Sequence, residues 1–219
     1  MKLYQFSWGI YPRRIHVYLK EKKITSLEMI EIDVIGQENR KPGYLKKNPT
    51  GGIPTLETED GFTICQSSSI MQYLEDLYPA PDMRGSTPEA RARTHDQLML
   101  VNEAYNFAGI CTFHASPLFS KMRLQNDEVA RGMHSEYVRV LGSLETMAGA
   151  RPYMGGETPS IADVAFFASE QFMRDLYQLE LPATCARLEA IYNRFLLRPS
   201  AAPAAYPKFI VPLAPLRAI

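Results

Sequence analysis

The sequence predicts an α/β domain at the N-terminus followed by an all-helical domain at the C-terminus. Strand-like alternation and a hairpin signal occur only in the first third of the chain, whereas helical periodicity fills the second half. A proline-rich segment separates the two patterns. We therefore expect an α/β domain at residues 1–79, a linker at 80–88 and a helical domain at 89–219, since 219 residues are enough for two small domains.

The composition excludes several classes of function. The chain carries 24 Lys and Arg against 24 Asp and Glu, so it lacks the positive excess with which proteins bind nucleic acid or anionic membranes. No stretch approaches the roughly 20 apolar residues of a membrane span. The three cysteines lie far apart and the four histidines lack ligand spacing, so we expect no disulfide, no metal and a reducing cytoplasm.

The first elements are predicted to form a βαβ unit. Apolar residues alternate along Leu3–Trp8, which indicates a strand. A helix is expected from Pro12, because a missing N–H costs nothing in a first helical turn, to the cations at Lys20–Lys23, which suit the negative end of a helix. A second strand at Leu27–Asp33 completes the unit, and its crossover is expected to be right-handed.

A hairpin and one helix complete the α/β domain. Asp60-Gly61 lies between the β-prone runs 55–58 and 62–65, which is typical of two antiparallel strands joined by a tight turn. A helix that starts at Ser67 or the next residue has its apolar side chains on one face and ends before residue 79.

Four helices are expected in the second half. Helical periodicity covers four segments, at residues 89–119, 127–148, 160–177 and 182–197. The first of them contains Gly109, where we expect a break. The third begins with a capping box between Ser160 and Asp163, in which Asp replaces the usual Glu or Gln, so we interpret Asp163 as structural.

Three short motifs carry a family resemblance. Asn-Pro-Thr-Gly-Gly-Ile-Pro-Thr-Leu stands at 48–56, Gln-Ser-Ser-Ser-Ile-Met-Gln-Tyr-Leu at 66–74, and Gly-Glu-Thr-Pro-Ser-Ile-Ala-Asp-Val-Ala-Phe at 156–166. Together and in this order they resemble the cytosolic glutathione transferase family, of bacterial or fungal type. The resemblance covers essentially the whole chain. It implies a thioredoxin-like α/β first domain, βαβ-ββα with a mixed four-stranded sheet, and an all-α helical bundle as the second domain.

The resemblance also implies a glutathione site on the first domain. Ile53 and Pro54 match the family's cis-proline step, where the main chain of Ile53 pairs with the extended tripeptide like an added strand. Gln66 and Ser67 match the start of the helix that holds the γ-glutamyl group, because a helix N-terminus binds carboxylates. The alternatives are an ordinary strand-initiating proline at 54 and an ordinary helix cap at Ser67. Gln66 is neutral where many relatives carry Glu, so weaker binding is expected there.

Two basic residues, Arg40 and Lys41, precede the Asn-Pro step. By the resemblance, a basic residue here pairs with the glycyl carboxylate of glutathione, and Arg40 is the closer match. The alternative is a solvated surface charge, which is common for an arginine in a loop.

The sequence departs from the family pattern at the position that activates the sulfur. Relatives carry Ser, Cys or Tyr near the start of the first helix, but the usual position falls on Gly9. A free thiol has a pKa of about 8.5, so lowering it by ~2 units requires ~2.7 kcal/mol of thiolate stabilisation. The candidate donors are the Tyr11 hydroxyl, the backbone N–H groups of Ile10 and Tyr11, Ser7 and, last, Tyr4. Tyr11 and Tyr4 could instead be packing residues.

The second substrate is expected against the first long helix. The resemblance places an apolar pocket between the domains, and aromatic residues cluster on this helix. The cluster contains Tyr105, Phe107, Cys111, Phe113, His114 and Phe119. We select Tyr105, Phe107 and Cys111 as pocket residues, the alternative being a stripe of core residues, and interpret His114 as packing or surface.

These expectations describe a glutathione transferase that stabilises the glutathione thiolate and directs it at an apolar electrophilic small molecule without a metal. The alternatives are a non-catalytic binding protein of the same fold, which Gly9 favours, and a glutathione-dependent isomerase, lyase or peroxidase. A thiol-disulfide exchanger is disfavoured because no cysteine lies near residues 9–12. By the resemblance we expect a cytoplasmic homodimer with a role in detoxification and no nucleic-acid or membrane partner.

Overall fold

The computed structural model describes residues 1–218, and Ile219, the last residue of the predicted helical domain, lies outside the described residues. The N-terminal part contains a mixed four-stranded sheet in the order β2-β1-β3-β4. Its strands are β1 (Lys2–Gln5), β2 (Glu28–Glu31), β3 (Thr55–Glu57) and β4 (Thr63–Ile64). β2 pairs with β1 in parallel, and the other two neighbours are antiparallel. This sheet and the helical C-terminal part confirm the predicted fold class.

Three helices belong to the N-terminal part: α1 (Ile10–Lys22), α2 (Pro42–Leu45) and α3 (Ser67–Leu77). Strand β1 ends three residues before the predicted end, because the N–H of Gly9 turns back to the carbonyl of Phe6 at 2.8 Å. Helix α1 begins two residues before Pro12, which the first turn tolerates because its N–H groups have no partner inside the helix. Lys23 then ends α1 in the left-handed conformation.

Four helices form the C-terminal part: α4 (Pro88–Ala115), α5 (Asp127–Ala148), α6 (Ile161–Phe172) and α7 (Ala186–Leu196). Helix α4 continues through Gly109 without the predicted break, because the neighbouring Ala108 and Cys111 are fully buried and hold this turn in the core. The predicted segment 160–177 is α6 followed by a π-helical turn at Met173–Tyr177.

Helix α6 lies at the centre of the C-terminal part, and every residue from Ile161 to Phe172 is buried. The predicted capping box is confirmed, since the Ser160 side chain accepts from the N–H of Asp163 while the Asp163 carboxylate accepts from the N–H of Ser160. The same carboxylate also accepts from the N–H groups of Met154, at 2.7 Å, and Gly155, at 3.0 Å. This cap therefore ties the start of α6 to the preceding loop.

Helix α1 joins the two parts by packing against both α3 and α6. Arg13 donates to the side chain of Gln171 on α6 at 2.7 Å, and Arg14 donates to that of Ser169 at 2.9 Å. On the other side of α1, a buried ion pair joins Lys22 to Glu75 of α3 at 2.9 Å. Within residues 1–218, no helix combines the length and the apolar character required to cross a membrane.

Candidate functional site

The N-terminus of α3 presents free main-chain donors. Gln66 stands at the cap position, and no side chain caps this helix. The first main-chain bond of the helix runs from Ile70 to Gln66, so the N–H groups of residues 67–69 have no partner within residues 1–218. Three unpaired donors at the positive end of a helix favour a carboxylate or another anion.

Side-chain hydrogen bonds hold the loop that precedes β3 and contains Ile53. The buried side chain of Asn48 donates to the carbonyl of Gly52 at 2.8 Å, and the hydroxyl of Tyr44 donates to the same oxygen at 2.8 Å. The peptide bond between Ile53 and Pro54 is cis. Among residues 1–218, neither the N–H nor the C=O of Ile53 has a hydrogen-bond partner. This main chain is therefore available to an extended peptide.

A polar cavity of about 350 Å³ opens at the start of α3. It lies between α1, α3 and α4. Its lining consists of Tyr11, Arg14, Gln66, Ser67, Ser68, Asn102, Glu103 and Asn106. The predicted residues Tyr11, Gln66 and Ser67 therefore meet in one place, although they are far apart in sequence.

An apolar cavity of about 320 Å³ lies on the other side of Tyr11. Its walls come from α1, from α4, and from the end of α6 with its π-helical turn. The lining consists of Ile10, Tyr11, Tyr105, Asn106, Gly109, Ile110, Thr112, Phe113, Phe172, Met173 and Tyr177. None of these side chains is charged. Tyr11 and Asn106 line both cavities.

Tyr11 lies in the first turn of α1, is 37% exposed as a residue and lines both cavities. Its ring packs on the guanidinium of Arg14, with 4.9 Å between the ring centroid and Cζ. The N–H groups of Ile10 and Tyr11 have no partner among residues 1–218. Gly9 caps the helix, and a Cβ added there would lie 3.2 Å from the carbonyl oxygen of Phe6.

The other two hydroxyl candidates lie outside both cavities. Ser7 is exposed, and its N–H donates to the carboxylate of Glu31 at 2.8 Å. The hydroxyl of Tyr4 donates to Glu57 at 2.5 Å, on the sheet. Lys47 binds the same carboxylate at 2.8 Å, and these two donors lower the pKa of Glu57, Lys47 first.

Arg40 and Lys41 are exposed and do not line either cavity. The guanidinium of Arg40 donates to the carbonyl of Thr50 at 3.1 Å. It packs over Gly51, whose positive φ of 64° and lack of a Cβ allow this close approach. Arg40 therefore lies beside the loop that holds Ile53, and Lys41 caps the short helix α2.

Of the three predicted pocket residues on α4, one lines the apolar cavity and two do not. Tyr105 lines the apolar cavity, and its hydroxyl donates to the buried Glu170 at 2.7 Å. Burial, and then the charge of Glu170, raises the pKa of Tyr105 well above its ordinary value. Phe107 packs against the core instead, and Cys111 is fully buried outside the cavity, where burial raises the pKa of its thiol to about 11.

Apart from Thr112, the cavity residues missed on α4 follow helical geometry rather than residue type. Asn106, Gly109, Ile110 and Phe113 recur at spacings of three and four, which places them on one face of α4. That spacing was readable in the sequence, whereas the contribution of the π-helical turn after α6 was not. Within residues 1–218, no group of three or more His, Cys, Asp or Glu side chains is arranged to hold a metal ion.

Sequence comparisons agree with this architecture. A family model described as "Glutathione S-transferase, N-terminal domain" matches residues 8–77. Glutathione S-transferase 2 of Saccharomyces cerevisiae is 30% identical over 204 residues, which cover 91% of this chain and 87% of the relative. Maleylacetoacetate isomerase of Pseudomonas aeruginosa is 29% identical over 181 residues, covering 78% and 82%. Elongation factor 1-gamma of Rattus norvegicus is 30% identical over 161 residues, but the match covers only 35% of that protein.

Solved structures are similar over nearly the full length. The crystal structure of Gtt2 from Saccharomyces cerevisiae has a TM-score of 0.80 at 28% identity and covers 92% of this chain and 98% of its own. A glutathione S-transferase structure from Methylobacillus flagellatus with GSH bound has a TM-score of 0.78 at 21% identity, with the same two coverages of 92% and 98%. At that identity the likeness concerns the fold.

Proposed function

Because this chain belongs to the glutathione S-transferase family, we propose that it binds glutathione in the polar cavity and directs its thiolate at an electrophile in the apolar cavity. The observation that carries the proposal is that Tyr11 and Asn106 line both cavities. A thiol held beside Tyr11 would therefore face a reactant in the apolar cavity.

Each part of the tripeptide has a proposed partner, and the partner of the γ-glutamyl carboxylate lies in the lining of the polar cavity. The γ-glutamyl carboxylate would accept from the free N–H groups of residues 67–69 at the start of α3. The main chain of Ile53 would pair with the cysteinyl residue like an added strand. Arg40, and secondarily Lys41, would pair with the glycyl carboxylate by moving away from the loop at Thr50.

The proposed chemistry is the attack of the thiolate on an apolar electrophile. The Tyr11 hydroxyl, with the free N–H groups of Ile10 and Tyr11 at the N-terminus of α1, would stabilise the thiolate. The sulfur then forms a bond to the electrophilic carbon, while the leaving group departs with its electron pair. The uncharged lining of the apolar cavity favours an uncharged substrate, because a buried charge without a partner is costly.

The test compares Tyr11→Phe with wild type in a chromogenic thiol-conjugation assay. Removing the hydroxyl deletes one charge-assisted hydrogen bond to the thiolate, so we expect kcat to fall about tenfold to a hundredfold. Ser7→Ala is the matched control, since it removes a hydroxyl that lines neither cavity, and it should keep wild-type activity.

Two results would contradict the proposal. If the wild type does not bind to a glutathione column, the polar cavity has another ligand. If it binds glutathione but converts no electrophile of several classes, the chain is a non-catalytic binding protein, the alternative that Gly9 favours. Turnover only in isomerisation or peroxide reduction would keep the thiolate site and change the reaction.

The wider setting follows from the family. We propose that the chain works in the cytoplasm as a homodimer and contributes to detoxification. The support is family membership alone, which rests on the match to Glutathione S-transferase 2 of Saccharomyces cerevisiae over 91% of this chain and 87% of the relative.

A further inference from the structure

Arg14 is a fully buried arginine beside the polar cavity. Its side chain is 0% exposed. Nε donates to the hydroxyl of Ser169 at 2.9 Å, and Nη1 donates to Oδ1 of Asn102 at 2.5 Å. Nη2 is buried and has no hydrogen-bond partner among residues 1–218. The guanidinium therefore keeps an unused donor next to a cavity that it helps to line.

No carboxylate within the described residues lies within ion-pair distance of Arg14, whose polar partners are a hydroxyl and an amide. Two other largely buried cations have carboxylate partners, whereas the neighbouring Arg13, like Arg14, has only neutral partners among residues 1–218. Lys22 binds Glu75 at 2.9 Å and Arg174 binds Glu170 at 2.6 Å. Burial lowers the pKa of Arg14 to about 10, and the charge interactions with the phenol groups of Tyr11 and Tyr105 offset this only in part. A buried cation without an anion is costly, so the free protein holds an unbalanced charge here.

A chain of hydrogen bonds connects this charge with the start of α3. Asn102, which accepts from Arg14, donates through Nδ2 to the hydroxyl of Ser68 at 3.0 Å. Ser68 lies in the first turn of α3, among the free N–H groups. Gln66 beside it is neutral, and the one acidic side chain in the cavity lining is the exposed Glu103.

We propose that Arg14 is a positioning residue for the carboxylate of the γ-glutamyl group, whose negative charge balances the buried guanidinium. The inference rests on the proposed function. Arg14 acts through Asn102 and Ser68, which it orients toward the N-terminus of α3, and through its charge, which is screened little because the site is buried.

The test measures binding of two ligands by calorimetry. One is glutathione, and the other is the analogue 4-aminobutyryl-cysteinyl-glycine, which lacks only the γ-glutamyl α-carboxylate. Arg14→Gln should raise the Kd for glutathione about tenfold or more. It should change the Kd for the analogue by no more than about twofold. Arg14→Lys keeps the charge and should retain most of the preference for glutathione.

Arg13→Gln is the matched control. Arg13 is the neighbouring buried arginine, but it bonds to Gln171 and lines neither cavity. Its replacement should change the Kd values for the two ligands by the same factor. If Arg14→Gln does not fold, the Lys variant decides, because loss of the preference despite a retained charge contradicts the proposal.

If Arg14→Gln weakens the binding of both ligands by the same factor, the role of Arg14 is merely structural and the inference is overturned. An unchanged affinity for glutathione would overturn it as well. If the wild type binds neither ligand, the proposed function itself fails, which is a distinct result because it precedes any comparison of variants.

Discussion

Residue 9 shows how the absence of a side chain shapes the candidate site. A Cβ there would lie 3.2 Å from the carbonyl oxygen of Phe6, which is a close contact, and the chain has glycine. The first hydroxyl after residue 9 that lines the cavities is on Tyr11, two residues further along the chain. Stabilisation of an anion at this end of α1 therefore falls to Tyr11 and to main-chain N–H groups.

His16 gives a prediction on pH. Burial, and then the charge of Arg13, lowers the pKa of His16 from its ordinary 6.5 to about 4. Above pH 6.5 the imidazole is neutral in both the folded and the unfolded chain. Between pH 6.5 and 4 mainly the unfolded chain binds the proton, so the free energy of unfolding should fall by about 3 kcal/mol as the pH drops.

Urea unfolding at several pH values measures this effect. His16→Gln should flatten the decline, because it removes the titrating group while leaving a polar side chain near Gln5, the present partner. The exposed His95 is the control, and His95→Gln should keep the wild-type slope. A slope that is identical in all three proteins would contradict the prediction.

At the scale of elements, the start of α6 is the clearest case. One carboxylate, that of Asp163, accepts from three main-chain N–H groups and from the hydroxyl of Ser160. Asp163→Asn replaces one acceptor oxygen by an NH₂ group that faces donors. We expect it to lower the free energy of unfolding by about 2–4 kcal/mol, since buried donors lose their acceptor.

The N-cap of α4 is the matched comparison for this experiment. Thr87 is exposed and accepts from the N–H of Ala90 at 3.1 Å. Thr87→Ala should lower the free energy of unfolding by about 1 kcal/mol, the ordinary effect of losing a helix cap. If Asp163→Asn costs no more than Thr87→Ala, the additional bonds to Met154 and Gly155 contribute nothing to stability.

The elements also show which predictions a sequence supports. The box at Ser160 and Asp163 was predictable because capping is local and depends on residues three apart. The aromatic cluster on α4 led us to select Tyr105, Phe107 and Cys111, of which Tyr105 lines the cavity. The structure also places Asn106 and Ile110 in the lining. Which face of a long helix meets a cavity depends on its tertiary neighbours, and these are not local.

At the scale of the molecule, α1 couples the two parts. Gln171 on α6 accepts from Arg13 and donates to the carbonyl of Ala201 at 2.9 Å. We expect wild type to unfold in one transition, with the fluorescence of Trp8, the single tryptophan, coinciding with far-UV circular dichroism. Gln171→Leu leaves Arg13 without this acceptor, so the fluorescence transition should move to a lower denaturant concentration than the dichroism transition.

Gln97→Leu is the control for this separation. Gln97 is also fully buried, but its amide donates to Met147 within the helical part. Its replacement should destabilise the protein while the two transitions remain coincident. Two separate transitions in the wild type would show that the parts unfold independently.

The sequence predicted the overall architecture from patterns that repeat along the chain, but it did not predict the role of Arg14. Arg14 contacts Asn102 and Ser169, residues 88 and 155 positions away. Nothing within a few residues of Arg14 indicates that it is buried without a carboxylate. Such a property belongs to the assembled molecule, because it depends on what three distant segments bring together.

The shared wall at Tyr11 has a thermodynamic consequence. A molecule that occupies one cavity and shifts this ring changes the shape of the other cavity. Linkage then requires that the two occupants alter each other's dissociation constant by the same factor, whichever arrives first. Inhibition by an inert apolar compound would consequently appear as cooperativity, positive or negative, with the thiol ligand rather than as simple independence.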